Sequence, residues 1–143
     1  MVVVVIIGVA LALAMPRLFP SDEELTRDEG EQVLALLQVA RDEAAFGGRA
    51  IAARIVAGKL EFFERDLGNP EQWNQSGAPD LKPRAFASTV DAQLTVTGLP
   101  TKDTQITFLP AGVSLPFELA LQTQSVSATI VGDAIGNLRL KAR

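Results

Sequence analysis

The sequence contains no cysteine, no histidine and no tyrosine among its 143 residues. Without cysteine and histidine, disulfide bonds, thiol nucleophiles, zinc sites of thiolate or imidazole ligands, and serine nucleophiles activated by histidine are all excluded. Charged residues are also scarce, at 21% against 48% hydrophobic residues, and the formal net charge is -4. Because an acidic chain repels a phosphate backbone, nucleic-acid binding would require a local basic patch. The length fits one domain with a single hydrophobic core.

An uncharged apolar run occupies residues 1–15, which read MVVVVIIGVALALAM, and it ends abruptly at Pro16 and Arg17. A helix of this length measures about 22 Å, whereas the hydrocarbon core of a bilayer is about 30 Å thick and needs about 20 residues. The run printed here is therefore several residues too short to span a membrane by itself.

Three interpretations of this apolar run stay open. The first is a core strand or helix, which would need protein on every side. The second is a secretory signal, because Ala12-Leu13-Ala14 imitates an A-x-A cleavage site, although no basic segment precedes it. The third is a membrane helix whose beginning lies upstream of Met1, and the helix-length arithmetic favours this one.

A second helix is predicted from about Ser21 to Phe46. Ser21 and Glu24 form a capping box of the S-x-x-E type, which satisfies free backbone donors at a helix start. Gly47 and Gly48 supply the stop, since glycine accepts the left-handed conformation that is common after a helix. Apolar residues at helical spacing predict a core-facing stripe, formed by Val33, Leu37, Ala40 and Ala44.

Pro16 and Pro20 decide how this helix connects to the apolar run. Proline removes a backbone donor and kinks a helix, without necessarily ending it. We therefore expect one long kinked helix of about 45 residues, some 65 to 70 Å in length. A domain of about 100 residues is less than half as wide, so the first half of the helix is expected to protrude.

Beyond Gly48 the helical period stops, and short β-rich runs alternate with turn signals. Seven strands are predicted, at residues 50–56, 59–64, 93–97, 105–108, 117–123, 125–131 and 138–141. Residues 66–84 contain three prolines and show neither period, so they are predicted to form a long loop. The fold class is accordingly α+β: a long kinked N-terminal helix, followed by an antiparallel β-sandwich or curled sheet that the helix covers on one side.

No catalytic residue, cofactor, metal or small-molecule substrate is predicted. The eight acids between Asp22 and Glu43 are expected on a solvated face or in salt bridges between subunits, because raised carboxyl pKa values require burial. The serines have no neighbouring base to activate them, and the oxygen donors of the predicted loop match no EF-hand spacing. Trp73, the only tryptophan, is predicted to fold back over the hydrophobic core rather than to stack on a ligand.

Arg139, Lys141 and Arg143 alternate along the last predicted strand, so their side chains are expected on one face. Such a basic strip either protects an exposed edge strand against aggregation or binds phosphates or an acidic partner. We favour protection, and nucleic acid is not expected as a partner.

Taken together, these features resemble the type IV pilin-like proteins, in which an apolar N-terminus runs through a proline into an amphipathic helix before a small β domain. Residues 2–8, VVVVIIG, look like the interior of the pilin N-terminal signature, and Pro16 falls where that family has a helix-kinking proline. Within this group the chain is similar to the H-type minor pseudopilins of type II secretion and their FimT-like relatives. Further matching motifs are ARDEA at residues 40–44, the lone Trp73, FLPAG at residues 108–112 and GDAIG at residues 132–136.

The resemblance implies a non-enzymatic subunit that crosses the bacterial inner membrane once and is preceded by a leader and about six mature residues. It divides the chain into a transmembrane and assembly helix (1–20), an amphipathic helix that packs on the sheet (21–47) and a periplasmic β domain (48–143). The implied partners are other minor pseudopilins and the major pseudopilin, in a pseudopilus and at or near its tip. The predicted interface residues are Val2, Val3, Val4, Val5, Ile6, Ile7, Val9, Leu11, Leu13 and Pro16.

Two alternative functions stay open at the level of the sequence. A FimT-like minor pilin of a type IV pilus would use Arg139, Lys141 and Arg143 to capture DNA for uptake. A secreted β-rich binding domain would instead be released by signal cleavage after Ala14.

Overall fold

The computed structural model of the chain describes residues 21–98, 104–111 and 115–142, and its first element is helix α1, Asp22–Gly47. Ser21 is the N-cap, because its Oγ accepts a hydrogen bond of 3.2 Å from the backbone N–H of Glu24. Gly48 follows the helix in the left-handed region, with a φ of 67°. Both ends lie within one residue of their predicted positions, so the predicted N-cap and the glycine stop are confirmed.

One face of α1 is buried, and its buried residues are Thr26, Glu29, Gly30, Val33, Leu37, Ala40 and Ala44. They recur every three or four residues, so the predicted apolar stripe is confirmed. Gly30 marks the point at which the helix comes very close to a strand, since a Cβ placed there would lie 2.9 Å from Cδ1 of Leu140.

Nine strands follow α1 in the described residues: β1 Ile51–Val56, β2 Lys59–Arg65, β3 Trp73–Gln75, β4 Arg84–Ala85, β5 Asp91–Val96, β6 Ile106–Phe108, β7 Phe117–Gln122, β8 Ser127–Gly132 and β9 Leu138–Ala142. They form two sheets, and all their pairings are antiparallel. The first sheet has the order β3-β2-β1-β6, and β4 also pairs with β2. The second sheet has the order β5-β7-β8-β9.

Helix α1 and the inner faces of both sheets share one hydrophobic core. The helix contributes Val33, Leu37, Ala40 and Ala44; the first sheet contributes Ile51, Ala53, Leu60, Phe62, Ile106 and Phe108; the second contributes Val96, Phe117, Leu119, Leu121 and Ile130. Because α1 and both sheets bury residues of the same cluster, this core holds the outer face of each sheet in a fixed position relative to α1.

The predicted order of one helix followed by antiparallel strands is confirmed, and all seven predicted strands are present with slightly shifted ends. The prediction of a loop throughout residues 66–84 is wrong, because β3 lies within this range and β4 begins at its last residue. These two strands are only three and two residues long, so neither could show an alternating pattern, and both exist through pairing with β2. The kink expected at Pro16 and Pro20 lies outside the described residues, and the sandwich packing stays a prediction.

Candidate interaction surfaces

The predicted assembly interface lies wholly outside the described residues, since Val2, Val3, Val4, Val5, Ile6, Ile7, Val9, Leu11, Leu13 and Pro16 all precede them. Within the ranges that the structure describes, no helix combines the length and the hydropathy that a membrane crossing requires. The surfaces that can be examined directly are therefore the polar face of α1 and the outer faces of the two sheets.

Seven of the eight acids on α1 are exposed, but Glu29 is buried, with 8% of its side chain accessible. Arg84 on β4 donates from Nη1 to Oε1 of Glu29 and from Nη2 to Oε1 of Gln32, each over 2.6 Å. The expectation of a solvated or intersubunit role is therefore wrong for Glu29. This ion pair could not be predicted from local sequence patterns, because its two members are 55 residues apart.

A second contact joins two of the motifs that carry the family resemblance. Arg41, from the ARDEA motif on α1, donates from Nη1 to the carbonyl oxygen of Gly136 over 2.9 Å. Gly136 belongs to the GDAIG motif in the turn before β9 and has a φ of 91°, a conformation that favours glycine. The helix is thus fastened to the first sheet through Arg84 and to the second sheet through Arg41.

The outer face of the first sheet carries two arginines stacked on aromatic rings. The guanidinium carbon of Arg54 lies 4.6 Å from the ring centre of Phe63 and 6.0 Å from that of Trp73. The guanidinium carbon of Arg65 lies 4.9 Å from the same Trp73 ring. We call Arg54, Phe63, Arg65 and Trp73 the cation–aromatic surface. Trp73 is half-buried and is absent from the core cluster of the described residues, so the prediction that it folds over the core is wrong.

The strand register brings these four side chains together. Trp73 on β3 lies directly opposite Arg65 on β2, and Phe63 lies opposite Ala52 on β1, two residues before Arg54. Ala52 is fully buried although it alternates with the core residues Ile51 and Ala53, so the outer face of the sheet is also covered at this position. Side chains two residues apart on a strand share a face, so the antiparallel pairing stacks the cluster on one side of the sheet.

Arg54 is held in place from the neighbouring strand. Its Nε donates to Oε1 of Gln105 over 2.7 Å, and Nε2 of Gln105 in turn donates to Oγ1 of Thr107 over 3.1 Å. These hydrogen bonds and the Phe63 ring hold the guanidinium of Arg54 in place. The bond to Gln105 uses Nε alone, so the two terminal nitrogens, Nη1 and Nη2, take no part in it.

Arg65 connects the cation–aromatic surface to a groove at the far end of α1. The groove has a volume of about 290 Å³, and its apolar lining includes Leu67, Pro70, Leu109 and Pro110. Leu67 is 73% exposed. The Nε of Arg65 is buried and has no hydrogen-bond partner among the described residues. Nor does any carboxylate of the described ranges lie within 4.0 Å of the guanidinium of Arg54 or Arg65.

One local signal could have revealed this surface. The segment KLEFFER places Phe62 and Phe63 side by side in β2, and adjacent residues of a strand point to opposite faces. Two large apolar residues in succession therefore indicate that both faces of the strand are covered. Phe62 enters the core and Phe63 joins the cation–aromatic surface.

The basic strip on β9 is exposed on the outer face of the second sheet. Arg139 and Lys141 alternate with the half-buried Leu138 and Leu140, so the two cations share a face as predicted. Arg143, the third member, lies outside the described residues.

The described residues contain no group of three or more acidic side chains placed to hold a metal ion. Two oxygen donors of the predicted loop are engaged internally: Oδ1 of Asn69 accepts from the N–H of Glu71, and Oδ1 of Asn74 accepts from Nε2 of Gln72. These side chains stabilise the turn between β2 and β3.

Comparison with known families places this fold. Residues 29–136 match the family described as type II transport protein GspH, which is well over half of the 143 residues. The chain belongs to the GspH family. The matched range contains Val33, Leu37, Ala40 and Ala44 of the helix stripe, strands β1 to β8 and the turn that Arg41 contacts, and β9 follows it. No curated protein sequence matches the chain significantly.

Solved structures of similar fold include proteins of three organisms. EpsH, a minor pseudopilin of the type 2 secretion system of Vibrio cholerae, has a TM-score of 0.69 and 16% identity, covering 85% of this chain and 98% of EpsH. E. coli GspH has a TM-score of 0.63 and 19% identity, covering 85% and 92%. The type IV minor pilin FimU of Pseudomonas aeruginosa has a TM-score of 0.62 and 21% identity, covering 82% and 92%. At these identities the likeness concerns the fold alone.

Proposed function

We propose that this GspH-family chain is a non-enzymatic minor pseudopilin of the type II secretion system. It is a subunit of the periplasmic pseudopilus, at or near its tip, and takes part in the assembly that drives protein secretion. The observation that carries the proposal is the family match over residues 29–136, in a chain whose residues 1–15 are uninterruptedly apolar.

The division of labour along the chain follows from its hydropathy. Residues 1–20 belong to the helix that anchors the subunit in the inner membrane by a single pass and later packs against the helices of neighbouring subunits. Burial contributes about 0.8 kcal/mol for each methylene group removed from water, so this segment supplies many kcal/mol to assembly. The interface is formed by Val2, Val3, Val4, Val5, Ile6, Ile7, Val9, Leu11, Leu13 and Pro16. Residues 21–47 then mount the β domain, residues 48–143, in the periplasm.

The partners in this proposal are other minor pseudopilins and the major pseudopilin. They contact the apolar segment laterally, because extraction from the bilayer would otherwise expose it to water. Neither a cofactor nor a small-molecule substrate takes part.

Fractionation of Gram-negative cells that express the full chain tests the membrane role. We expect the unmodified chain in the inner-membrane fraction and expect Val5→Glu/Ile7→Glu to move it to the soluble fraction. Val56→Glu/Leu67→Glu is the matched control, because both residues are exposed and lie in the β domain. An unmodified chain found wholly in the soluble fraction would contradict the proposal.

Site-directed cross-linking tests the partners. The chain has no cysteine, so Val9→Cys introduces a single thiol. In cells with an active type II secretion system we expect this thiol to cross-link to pseudopilins, identified by mass spectrometry. Cross-links to unrelated proteins alone would exclude lateral assembly through this segment.

A second candidate function rests on the exposed face that Arg139 and Lys141 share on β9. A type IV minor pilin could use such a strip to retain DNA. In that case Arg139→Ala/Lys141→Ala/Arg143→Ala should abolish DNA retention in a filter-binding assay. The absence of DNA retention by the unmodified chain would exclude this candidate.

A further inference from the structure

We propose that the cation–aromatic surface is a docking site for an acidic segment of another protein, in which Arg54 and Arg65 each bind a carboxylate. This inference goes beyond assembly through residues 1–20 and does not depend on it, because the surface lies on the opposite side of the first sheet from the shared core. It is the one described surface that combines fixed cations, aromatic rings and an adjacent apolar groove.

Both arginines are held in fixed positions before any partner binds. Arg54 stacks on Phe63 and is tied through Gln105 to Thr107. Arg65 lies over Trp73, which is directly opposite it in the β2–β3 pairing. An arginine that stacks through its plane keeps its in-plane donors available, and its planar fork matches a carboxylate. Fixing the side chain in advance lowers the entropy lost on binding.

The charge of the two arginines complements an acidic partner. The chain carries a net charge of -4, yet these two guanidinium groups have no carboxylate within 4.0 Å among the described residues. By contrast, the half-buried Arg84 is paired with Glu29 and Gln32. The buried Nε of Arg65 also has no hydrogen-bond partner in the described ranges. A buried donor without an acceptor is costly. The guanidinium of Arg65 also keeps a charge that no described carboxylate neutralises, and an acidic partner can pair with it.

The apolar groove next to Arg65 favours a polypeptide as the partner. Arg65 lines the groove that also contains the exposed Leu67 and the apolar Pro70 and Pro110. A segment with an apolar side chain next to its carboxylates would cover both features at once. Nucleic acid fits less well, because its binding relies on several phosphate contacts along a continuous basic stripe. Here only two cations lie near one hydrophobic indole, in a chain whose net charge is -4.

The test uses the full 143-residue chain in a non-ionic detergent, with the fluorescence of Trp73, its only tryptophan, as the signal. The probe is a synthetic octapeptide with glutamate at alternate positions and serine or leucine between them. Its counterpart has glutamine in place of glutamate. We expect the glutamate peptide to change the Trp73 emission with saturation, to bind more weakly as salt is raised, and to bind at least tenfold more tightly than the glutamine peptide.

Matched variants assign the binding to the proposed residues. Arg54→Ala/Arg65→Ala should weaken binding of the glutamate peptide at least tenfold. Arg139→Ala/Lys141→Ala removes the same charge from the second sheet and should change the affinity by less than twofold. Arg54→Lys/Arg65→Lys keeps both charges but loses the planar fork, so an intermediate affinity is expected. Circular dichroism shows whether each variant is folded, and the lysine variant tests the geometry if the alanine variant unfolds.

Several results would overturn the proposal. They are no response of the unmodified chain to millimolar glutamate peptide, equal affinity for the glutamine peptide, or an equal loss of binding in Arg139→Ala/Lys141→Ala. Tighter binding of a ten-nucleotide oligothymidine that depends on Arg54 and Arg65 would instead identify single-stranded nucleic acid as the ligand.

Discussion

The two sheets share a core on their inner faces but differ sharply on their outer faces. In the second sheet, Phe117, Leu119 and Leu121 of β7 point inward, while Glu118 and Gln122 are exposed to solvent. In the first sheet, β1 has three consecutive buried residues, Ile51, Ala52 and Ala53, and β2 has no exposed residue after its first. The second sheet is therefore covered on one face, whereas the first sheet is covered on both.

The difference indicates that, in a small domain, the inner faces of the sheets can provide stability while the outer face of one sheet serves for binding. A face that only meets water needs polar residues and nothing more, and the alternation of β7 satisfies that need. Side chains on a second covered face add little to a core that is already complete. The cost of ordering Arg54, Arg65 and Trp73 is therefore better explained by an interaction than by folding.

The largest expected effect comes from the two adjacent phenylalanines of β2. Phe62 is fully buried in the shared core, so Phe62→Ala should lower the free energy of unfolding by about 3–5 kcal/mol. Phe63→Ala should cost about 1 kcal/mol or less, because Phe63 is half-buried on the outer face. Urea unfolding of both variants measures the difference. Equal losses would mean that the outer face is a second core and not an interaction surface.

Gly132 on β8 and Gly30 on α1 both lie close to side chains of the second sheet, and substituting them tests its packing. A Cβ at Gly132 would lie 2.1 Å from the ring of Phe117, which is itself buried, so Gly132→Ala should destabilise by about 2–3 kcal/mol. A Cβ at Gly30 meets the flexible end of Leu140 at 2.9 Å, and alanine favours helix by about 1 kcal/mol. Gly30→Ala should therefore stay within about 1 kcal/mol of the original in thermal unfolding. A reversed order would contradict the packing described between β7 and β8.

The ion pair that fastens α1 to the first sheet is the next test. A double-mutant cycle with Glu29→Ala and Arg84→Ala should give a coupling energy of about 1–2 kcal/mol, because Glu29 is buried and Arg84 is 22% exposed. The exposed pair Arg27 and Glu31 on the same helix, 3.4 Å apart, should give less than about 0.5 kcal/mol. Chemical unfolding of the single and double variants in both cycles measures the two coupling energies. Similar values for the two pairs would show that β4 is not anchored through Glu29.

The smallest expected effect is a pH dependence in the turn before β9. The backbone N–H of Asn137 is the main cause that lowers the pKa of Asp133 below its ordinary value of 3.8, and the side chain of Asn137 and the N–H of Ile135 add to it. A lowered pKa contributes stability above the ordinary value, and this stability is lost as the pH falls through the folded value. Asp133→Asn should therefore flatten the loss of stability below about pH 4. Circular dichroism at decreasing pH measures the unfolding of the unmodified chain and of Asp133→Asn. Equal acid sensitivity of the two would exclude a contribution of Asp133 to the pH dependence of stability.

Much of the fold could be predicted because its signals are local. Ser21 and Gly48 mark the ends of α1 by their own conformational preferences, and the alternation of β7 and β8 shows which side faces the core. β3 and β4 could not be predicted, because their existence depends on the edge of β2 and not on their own residues.

The candidate site was harder to predict for the same reason. Arg54, Arg65 and Trp73 are far apart in sequence and meet only through the register of three strands. When the register is unknown, a single tryptophan in a proline-containing segment is predicted to pack on the hydrophobic core, as was predicted for Trp73. The adjacent Phe62 and Phe63 are the local sequence signal which indicates that both faces of β2 are covered.

The length of α1 has one more consequence. Its 26 residues measure about 39 Å, and the N–H of Arg65 donates to the carbonyl of Ala50, just beyond the helix end. In the proposed arrangement, with Ser21 near the bilayer, Arg65 stands several screening lengths of physiological salt, each about 8 Å, above the lipid phosphates. Anionic headgroups therefore exert almost no pull on this guanidinium, and it stays available to proteins approaching from the periplasm.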